Sequence, residues 1–272
     1  MPVTNFKKYR KEMLMNLTNY HQFTTILLNN LQADPRVIGL VALGSMAEQG
    51  RTPDNWSDHD FFVIVKTGEQ ESFRQNLDWL PYTEHIVMNI RETEHGLKVM
   101  YNIPHLIEFA IFDANELHGA KANDYHILLD KGDVQGIMAQ ISTRSPKPNY
   151  NPQRDLLMVL SLFYVGAGRY ARGEKLSAHV FIKHHLLHHL LPLLIHLLGD
   201  NPKLDNLDPF RRLEQVYPAI ATQINDSLLL PPVSCALALL DVLVAQTQPH
   251  ITLYPTQVIE VVRAYLKEIE AL

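Results

Sequence analysis

Two acids near the first quarter of the chain could bind a divalent metal. Asp58 and Asp60 stand two positions apart at the start of the apolar run Phe61 to Val65. In a β-strand both carboxylates leave the same face, because side chains alternate along the strand. Such a pair can share Mg²⁺ ions, which neutralise a triphosphate and activate an attacking oxygen in an in-line displacement. The spacing therefore indicates metal-dependent chemistry on phosphates.

A phosphate-binding turn is predicted just upstream. Gly44 and Ser45 follow the apolar run Val37 to Leu43, and 12 residues, Met46 to Ser57, separate Ser45 from Asp58. Glycine lets the backbone approach a phosphate closely, and a serine hydroxyl with the amides of a following helix start can hold its oxygens. The turn and the two acids together favour a nucleotide triphosphate as ligand.

A third acid, Glu108, stands alone in the apolar segment His105 to Phe112. A lone acid in an apolar strand is costly to bury without a partner, so we expect a cation or a metal beside it. Glu108 could be a third metal ligand, or it could take the proton from an acceptor hydroxyl.

Alternating elements must position these residues. The spacing of apolar residues predicts an N-terminal helix, Tyr9 to Leu31, and four strands around the acids. The predicted strands are Val37 to Leu43, the strand that Phe61 to Val65 completes, Glu94 to Asn102, and His105 to Phe112. Shorter predicted elements are a helix carrying Phe73, Leu77 and Leu80, a helix capped by Asp113, an edge strand Tyr125 to Leu129, and a helix Val134 to Ile141.

The second half of the chain has a different composition. Three prolines in Ser142 to Gln153 mark a linker, and Arg154 to His250 is rich in Leu, Val, Ala and His at helical spacing. A last amphipathic helix is predicted for Thr256 to Leu272. The predicted fold class is α+β, with a small mixed-sheet domain flanked by helices over residues 1–145 and an all-α helical bundle over 146–272.

Composition narrows the class of partner. The formal net charge is −5 without a dense Lys/Arg tract, which argues against nucleic acid as the main ligand. The single cysteine, Cys235, excludes an internal disulfide and a cysteine-based zinc site. The sequence contains neither a secretory signal pattern nor a run of about 18 apolar residues, so we expect a cytoplasmic protein without a membrane partner.

These residues match a known pattern. Leu43-Gly44-Ser45, the 12-residue gap, Asp58-His59-Asp60-Phe61 and a later strand acid resemble the signature of the DNA polymerase beta-like nucleotidyltransferase superfamily. The layout most resembles the antibiotic nucleotidyltransferases, in particular the lincosamide enzymes and the aminoglycoside 6-adenylyltransferases. The motif-level resemblance covers roughly residues 36–112 and is architectural over 150–272.

The resemblance implies a role for each residue. Gly44 and Ser45 would hold the nucleotide phosphates, Asp58 and Asp60 would bind Mg²⁺, and Glu108 would be the third acid and candidate base. The implied reaction moves a nucleoside monophosphate, AMP from ATP, to a hydroxyl of a small molecule in a cleft between the domains. The position between the two acids is apolar in that pattern but is His59 here, and alternation points its ring to the opposite face.

Several alternatives stay open. Glu174, after Gly173, could contact the acceptor, or it could simply start a helix where the dipole favours a carboxylate. Helical spacing pairs His184 with His188, and His185 with His189, as metal-chelating or structural histidines. The fold could also serve a regulatory or antitoxin-like protein that binds or modifies a protein partner through its helical part, as a monomer or an oligomer.

Overall fold

The computed structural model describes residues 17–48, 52–54, 56–102, 105–122, 124–143, 150–199, 201, 203–205 and 207–271. The chain divides into two compact units, residues 1–146 and 147–272. Residues 9–16 of the predicted first helix and 144–149 of the predicted linker lie outside the described residues.

The first unit is built on one six-stranded sheet. Its strands are β1 (Val37–Leu43), β2 (His59–Val65), β3 (Ile86–Arg91), β4 (Gly96–Tyr101), β5 (Leu106–Phe112) and β6 (Tyr125–Asp130). Their spatial order is β3-β4-β5-β2-β1-β6. The β2–β5 pair is parallel and the other pairs are antiparallel, so the sheet is mixed. The predicted α+β fold class is confirmed.

Helix α1 (Leu17–Ala33) covers one face of this sheet. Its buried side chains, Tyr20, Phe23, Leu27 and Leu31, recur at three- and four-residue steps and therefore form one apolar stripe. They pack on inward-facing residues of β1, β2, β4 and β5, including Phe61 and Phe109. Each fully buried leucine on this stripe contributes roughly 2 kcal/mol.

On the opposite face, the helices that the structure describes cover one side. Helices α3 (Ala114–Leu117) and α4 (Val134–Thr143) pack on β1, β2, β6 and the end of β5 through a second core. Among the residues that the structure describes, that core contains none from β3 or β4. Among the described helices, none packs on the β3–β4 side of this face.

Local signals explain most boundaries in this unit. The predicted cap is confirmed, since the Asp113 side chain accepts from the Glu116 amide at 2.8 Å and the Glu116 side chain accepts from the Asp113 amide at 3.1 Å. The predicted helix through Leu77 and Leu80 is too long, because α2 (Gln70–Gln75) ends where Asn76 becomes extended. Strand β3 was not predicted.

The second unit is helical. Its elements are α5 (Pro152–Ala171), α6 (Lys175–Val180), a π-helical turn (Phe181–His185), α7 (Leu186–Leu198), α8 (Leu213–Val216), α9 (Pro218–Leu228), α10 (Pro232–Thr247) and α11 (Thr256–Glu270). One apolar core, rich in leucine, joins all of these elements except α6. None of the described helices combines the length and apolar character that crossing a membrane requires.

Candidate active site

Two of the predicted acids are cross-strand neighbours. Strands β2 and β5 run parallel with Asp60 opposite Glu108 and His59 opposite Ile107. Registered partners project from the same face of a sheet, so the Asp60 and Glu108 carboxylates stand on one face, half-buried. Asp58 is exposed and lies one residue before β2. The sheet thus brings the three acids to one end of two adjacent strands.

The expected cation beside Glu108 is Lys98. It lies opposite Glu108 on β4, and its Nζ is 3.3 Å from Glu108 Oε1 and 2.9 Å from Glu92 Oε1. The hydrogen bonds to Glu92 and Glu108 raise the pKa of Lys98 above its ordinary value. Asp60, Glu108 and Lys98 therefore form a row of charges across three neighbouring strands.

The Gly44–Ser45 turn joins the same end of the sheet. Strand β1 runs directly into a 3₁₀ turn, Gly44–Ala47, and Gly44 has φ 51°, a left-handed conformation that glycine adopts without strain. The Ser45 side chain is buried, and its hydroxyl donates to the Asp58 carbonyl at 3.5 Å. Because β1 and β2 are antiparallel neighbours, the turn lies beside the residue that opens the acid motif.

Tyr20, on α1, holds the backbone of Asp58 in place. Its hydroxyl donates to the Asp58 carbonyl at 2.9 Å, and its ring stacks on His59 with centroids 3.8 Å apart. Burial raises the pKa of the Tyr20 hydroxyl well above its ordinary value, and the Asp58 and Asp60 carboxylates raise it further. Tyr20 is therefore a neutral donor throughout the physiological range. Sequence reasoning identified Tyr20 only as an apolar helix residue, since no local pattern reveals a hydrogen bond across 38 positions.

A buried histidine pair supports the same strand. His59 lies beneath α1, as alternation predicts, with its Nδ1 2.9 Å from His105 Nε2 and its Nε2 3.0 Å from the Thr24 hydroxyl. Burial lowers the pKa of His59 well below its ordinary value, and neighbouring His105 lowers it further. Burial also lowers the pKa of His105 to about 4. Both rings are neutral at physiological pH and act as packing and hydrogen-bonding groups.

The acids could bind a hard cation with only a small number of protein ligands. Among the described residues, no group of three or more His, Cys, Asp or Glu side chains is arranged to hold a metal ion. Mg²⁺ is commonly bound by one or two carboxylates together with substrate phosphates, and Asp58 and Asp60 are the carboxylates that could supply them here. Glu108 is held by Lys98, so the donor set fits Mg²⁺ on the aspartates rather than on all three acids.

The remaining candidate residues belong to the second unit. Glu174 precedes α6, is exposed, and places Oε1 3.1 Å from Arg172 Nε. The rings of His184 and His188 have centroids 4.3 Å apart, and His188 Nδ1 donates to the His184 carbonyl at 3.0 Å. The acceptor contact of Glu174 and the metal-binding role of the histidine pairs therefore stay predictions.

The second unit also carries an apolar groove of about 460 Å³ between α5 and α11. Leu157, Tyr164, Val165, Val258 and Val261 line it, and each is at least 40% exposed. Exposed apolar side chains grouped in this way are typical of binding surfaces.

No protein-family model matches the chain, and no curated protein matches it. Among solved structures, an aminoglycoside 6-adenyltransferase from Bacillus subtilis aligns at 15% identity over 92% of this chain and 98% of that chain, with a TM-score of 0.35. A STING-associated CdnE c-di-GMP synthase from Capnocytophaga granulosa aligns at 12% identity over 98% of this chain and 91% of that chain, with a TM-score of 0.28. Since both TM-scores are below 0.5, the function of this chain must be argued from its own residues.

Proposed function

We propose that the chain is a nucleotidyltransferase that moves a nucleoside monophosphate, AMP from ATP, to a hydroxyl of a small molecule and releases pyrophosphate. The proposal is carried by the registered pair Asp60 and Glu108, which stands next to Asp58 and the Gly44–Ser45 turn. Lincosamide and aminoglycoside antibiotics are the acceptors that the sequence resemblance suggests.

Each residue has a proposed task in this reaction. Bound Mg²⁺ would supply charge neutralisation for the triphosphate, held by Asp58 and Asp60. The Gly44–Ser45 turn would hold the phosphates that leave. The acceptor oxygen forms a bond to the α-phosphorus, and the bond from that phosphorus to the oxygen bridging to the β-phosphate breaks, so that pyrophosphate departs with the bonding electrons. The acceptor proton passes to the Glu108 carboxylate.

The general-base role for Glu108 is favoured over a ligand role by its surroundings. Lys98 occupies one of its oxygens at 3.3 Å, and the side chain keeps 38% of its surface exposed. A carboxylate held on one side by a cation retains an oxygen that can accept a proton from a bound hydroxyl.

The direct test is pyrophosphate release from Mg²⁺ and each nucleoside triphosphate in the presence of a panel of hydroxylated acceptors. We expect Asp60→Asn to lower the turnover by at least about 100-fold, because metal binding is lost. Glu108→Gln should lower kcat by roughly 100-fold or more while the KM for the nucleotide stays unchanged.

A matched control is Glu92→Gln, which removes an exposed carboxylate that also pairs with Lys98 but does not alter Asp58, Asp60 or Glu108. It should leave turnover near that of the unmodified protein. Turnover that survives Asp60→Asn, or no pyrophosphate with any acceptor, would contradict the proposal.

A second candidate function, binding of a protein partner by the same fold, is favoured by one observation: the exposed apolar groove between α5 and α11. Light scattering on the full chain, with and without Val261→Asp, discriminates the two functions. Loss of an oligomer or complex in the variant would favour the partner-binding function, whereas a monomer that turns over small molecules would remove it.

A further inference from the structure

The sheet face that carries the acids continues over β4 and β3, where no described helix packs. Strands β4 and β5 pair with Lys98 opposite Glu108 and Met100 opposite Leu106, and β3 places Ile90 opposite Lys98 and Met88 opposite Met100. We call this surface the open face; its residues are Met88, Ile90, Lys98, Met100, Leu106 and Glu108. No described residue of β3 or β4 belongs to the core beneath α3 and α4.

Three large apolar side chains on the open face are accessible to solvent. Ile90 is 51% exposed, Met100 40% and Met88 37%. Strand β4 buries Leu97, Val99 and Tyr101 on the other face under α1, so its alternation is satisfied by that core. Three accessible apolar residues grouped beside a charged pair are typical of a ligand-contact surface.

The order of the strands indicates from which side the acceptor approaches the nucleotide. The strands β1, β2, β5 and β4 follow one another across the sheet. The Gly44–Ser45 turn follows β1, Asp58 and Asp60 lie at β2, Glu108 lies on β5, and Lys98 lies on β4. An in-line displacement places the attacking oxygen opposite the leaving group. If pyrophosphate leaves over Gly44 and Ser45, the acceptor must approach over β5 and β4.

We propose that the open face is the acceptor-binding surface and that it selects an amphipathic alcohol with a hydrocarbon face and no more than one positive charge. The inference rests on the proposed function, because the direction of attack assumes nucleotide at the Gly44–Ser45 turn. The acceptor hydroxyl lies at Glu108, and its hydrocarbon lies on Met88, Ile90 and Met100.

The charges around the open face disfavour a polycation. Glu108 and Glu92 both pair with Lys98, whose ammonium group stands in the middle of the surface. A ligand with several ammonium groups needs several available carboxylates, and it would be repelled by Lys98. An uncharged or singly charged ligand meets neither difficulty.

Methionine methyl groups report this binding directly. The full chain labelled with ¹³C-methyl methionine is titrated with lincomycin and with monomeric octyl glucoside, both amphipathic alcohols, and with kanamycin, a polycation. The Met88 and Met100 signals are assigned from Met88→Leu and Met100→Leu. We expect both signals to shift with at least one amphipathic alcohol and to stay in place with kanamycin.

Kinetics supply the second measurement. Ile90→Thr should raise the KM for an amphipathic acceptor at least about tenfold, with the KM for ATP unchanged, because apolar contact is removed from the acceptor alone. The matched control is Asn89→Ser, on the same strand with its registered partner, Val99, on the other face. It should change neither constant.

The outcomes separate this inference from the proposed function. Turnover with an unchanged acceptor KM in Ile90→Thr, or methionine shifts with kanamycin alone, overturns the open-face assignment and leaves the transferase standing. Methionine shifts with an amphipathic alcohol but no pyrophosphate from any nucleotide keep the binding surface and overturn the transferase. No shift with either amphipathic alcohol overturns the inference.

Discussion

Acidification between about pH 6.5 and pH 5 should destabilise the first unit through the buried histidine pair. Burial lowers the pKa of His105 from an ordinary 6.5 to about 4, and the pKa of His59 is lowered in the same direction. In this window the unfolded chain binds protons that the folded chain does not. Stability is therefore fully present above about pH 6.5 and falls as the pH drops towards the folded pKa.

The size of the effect follows from these two values. For His105 alone, the difference between 6.5 and about 4 corresponds to roughly 3 kcal/mol when complete, and to roughly 2 kcal/mol at about pH 5. His59 adds to the loss with the same sign. Losses of this size are a large fraction of the stability of an ordinary domain.

Tryptophan fluorescence restricts the measurement to the correct unit. Both tryptophans, Trp56 and Trp79, belong to residues 1–146, and the Trp79 ring packs on Phe73 and Phe109 with centroids 6.0 and 5.2 Å away. Urea unfolding of the full chain, followed by this fluorescence at about pH 7, 6 and 5, gives the free energy of unfolding from the midpoint and slope.

Two variants test whether His105 causes the loss of stability at low pH. His105→Gln keeps a hydrogen-bonding group beside His59 but removes the titrating ring, so it should reduce the loss between pH 7 and pH 5 by roughly 2 kcal/mol. His188→Gln changes an exposed histidine of the second unit and should leave the loss unchanged. An equal loss in His105→Gln and the unmodified protein would refute the reasoning.

Substitutions at three further positions probe the site. Tyr20→Phe removes the 2.9 Å hydrogen bond to the Asp58 carbonyl, so it should cost about 1 kcal/mol of stability and lower kcat several-fold; urea unfolding with an unchanged midpoint would count against this anchor. Gly44→Ala forces a residue with a Cβ to φ 51°, at about 1 kcal/mol, and should raise the KM for ATP rather than for the acceptor, as steady-state kinetics with each substrate varied will show. Lys98→Met removes the cation from Glu108 and should lower kcat about tenfold, while Lys98→Arg should keep most of the activity; equal rates for the two variants would show that the positive charge has no role.

The elements with strong local signals were predicted closely. Strand β1 has the predicted bounds, Val37–Leu43, because a continuous apolar run of this length between Pro35 and Gly44 fits a strand covered on both faces. The capping box at Asp113 and Glu116 was equally readable, since its four residues contain the whole interaction. Both features depend on neighbours in sequence.

Elements that depend on distant neighbours were missed or misjudged. Strand β3, Ile86–Arg91, is exposed on almost every residue, so it carries no apolar alternation. It exists because β4 offers it a hydrogen-bonding edge. Helix α2 ends at Gln75 although Leu77 and Leu80 continue an apolar pattern, and these leucines serve the core under α1 from outside the helix.

The sequence by itself determined which residue types stand at the candidate site. The acids Asp58 and Asp60, the Gly44–Ser45 turn and the solitary Glu108 are properties of residue type and spacing, which strand geometry converts into a common face. Tertiary structure decided which of these residues are neighbours in space. The parallel pairing of β2 with β5 sets Asp60 beside Glu108, and antiparallel β4 makes Lys98 the cation that Glu108 requires. A local pattern cannot contain these contacts, because strand order and register arise only when the whole sheet buries its apolar faces.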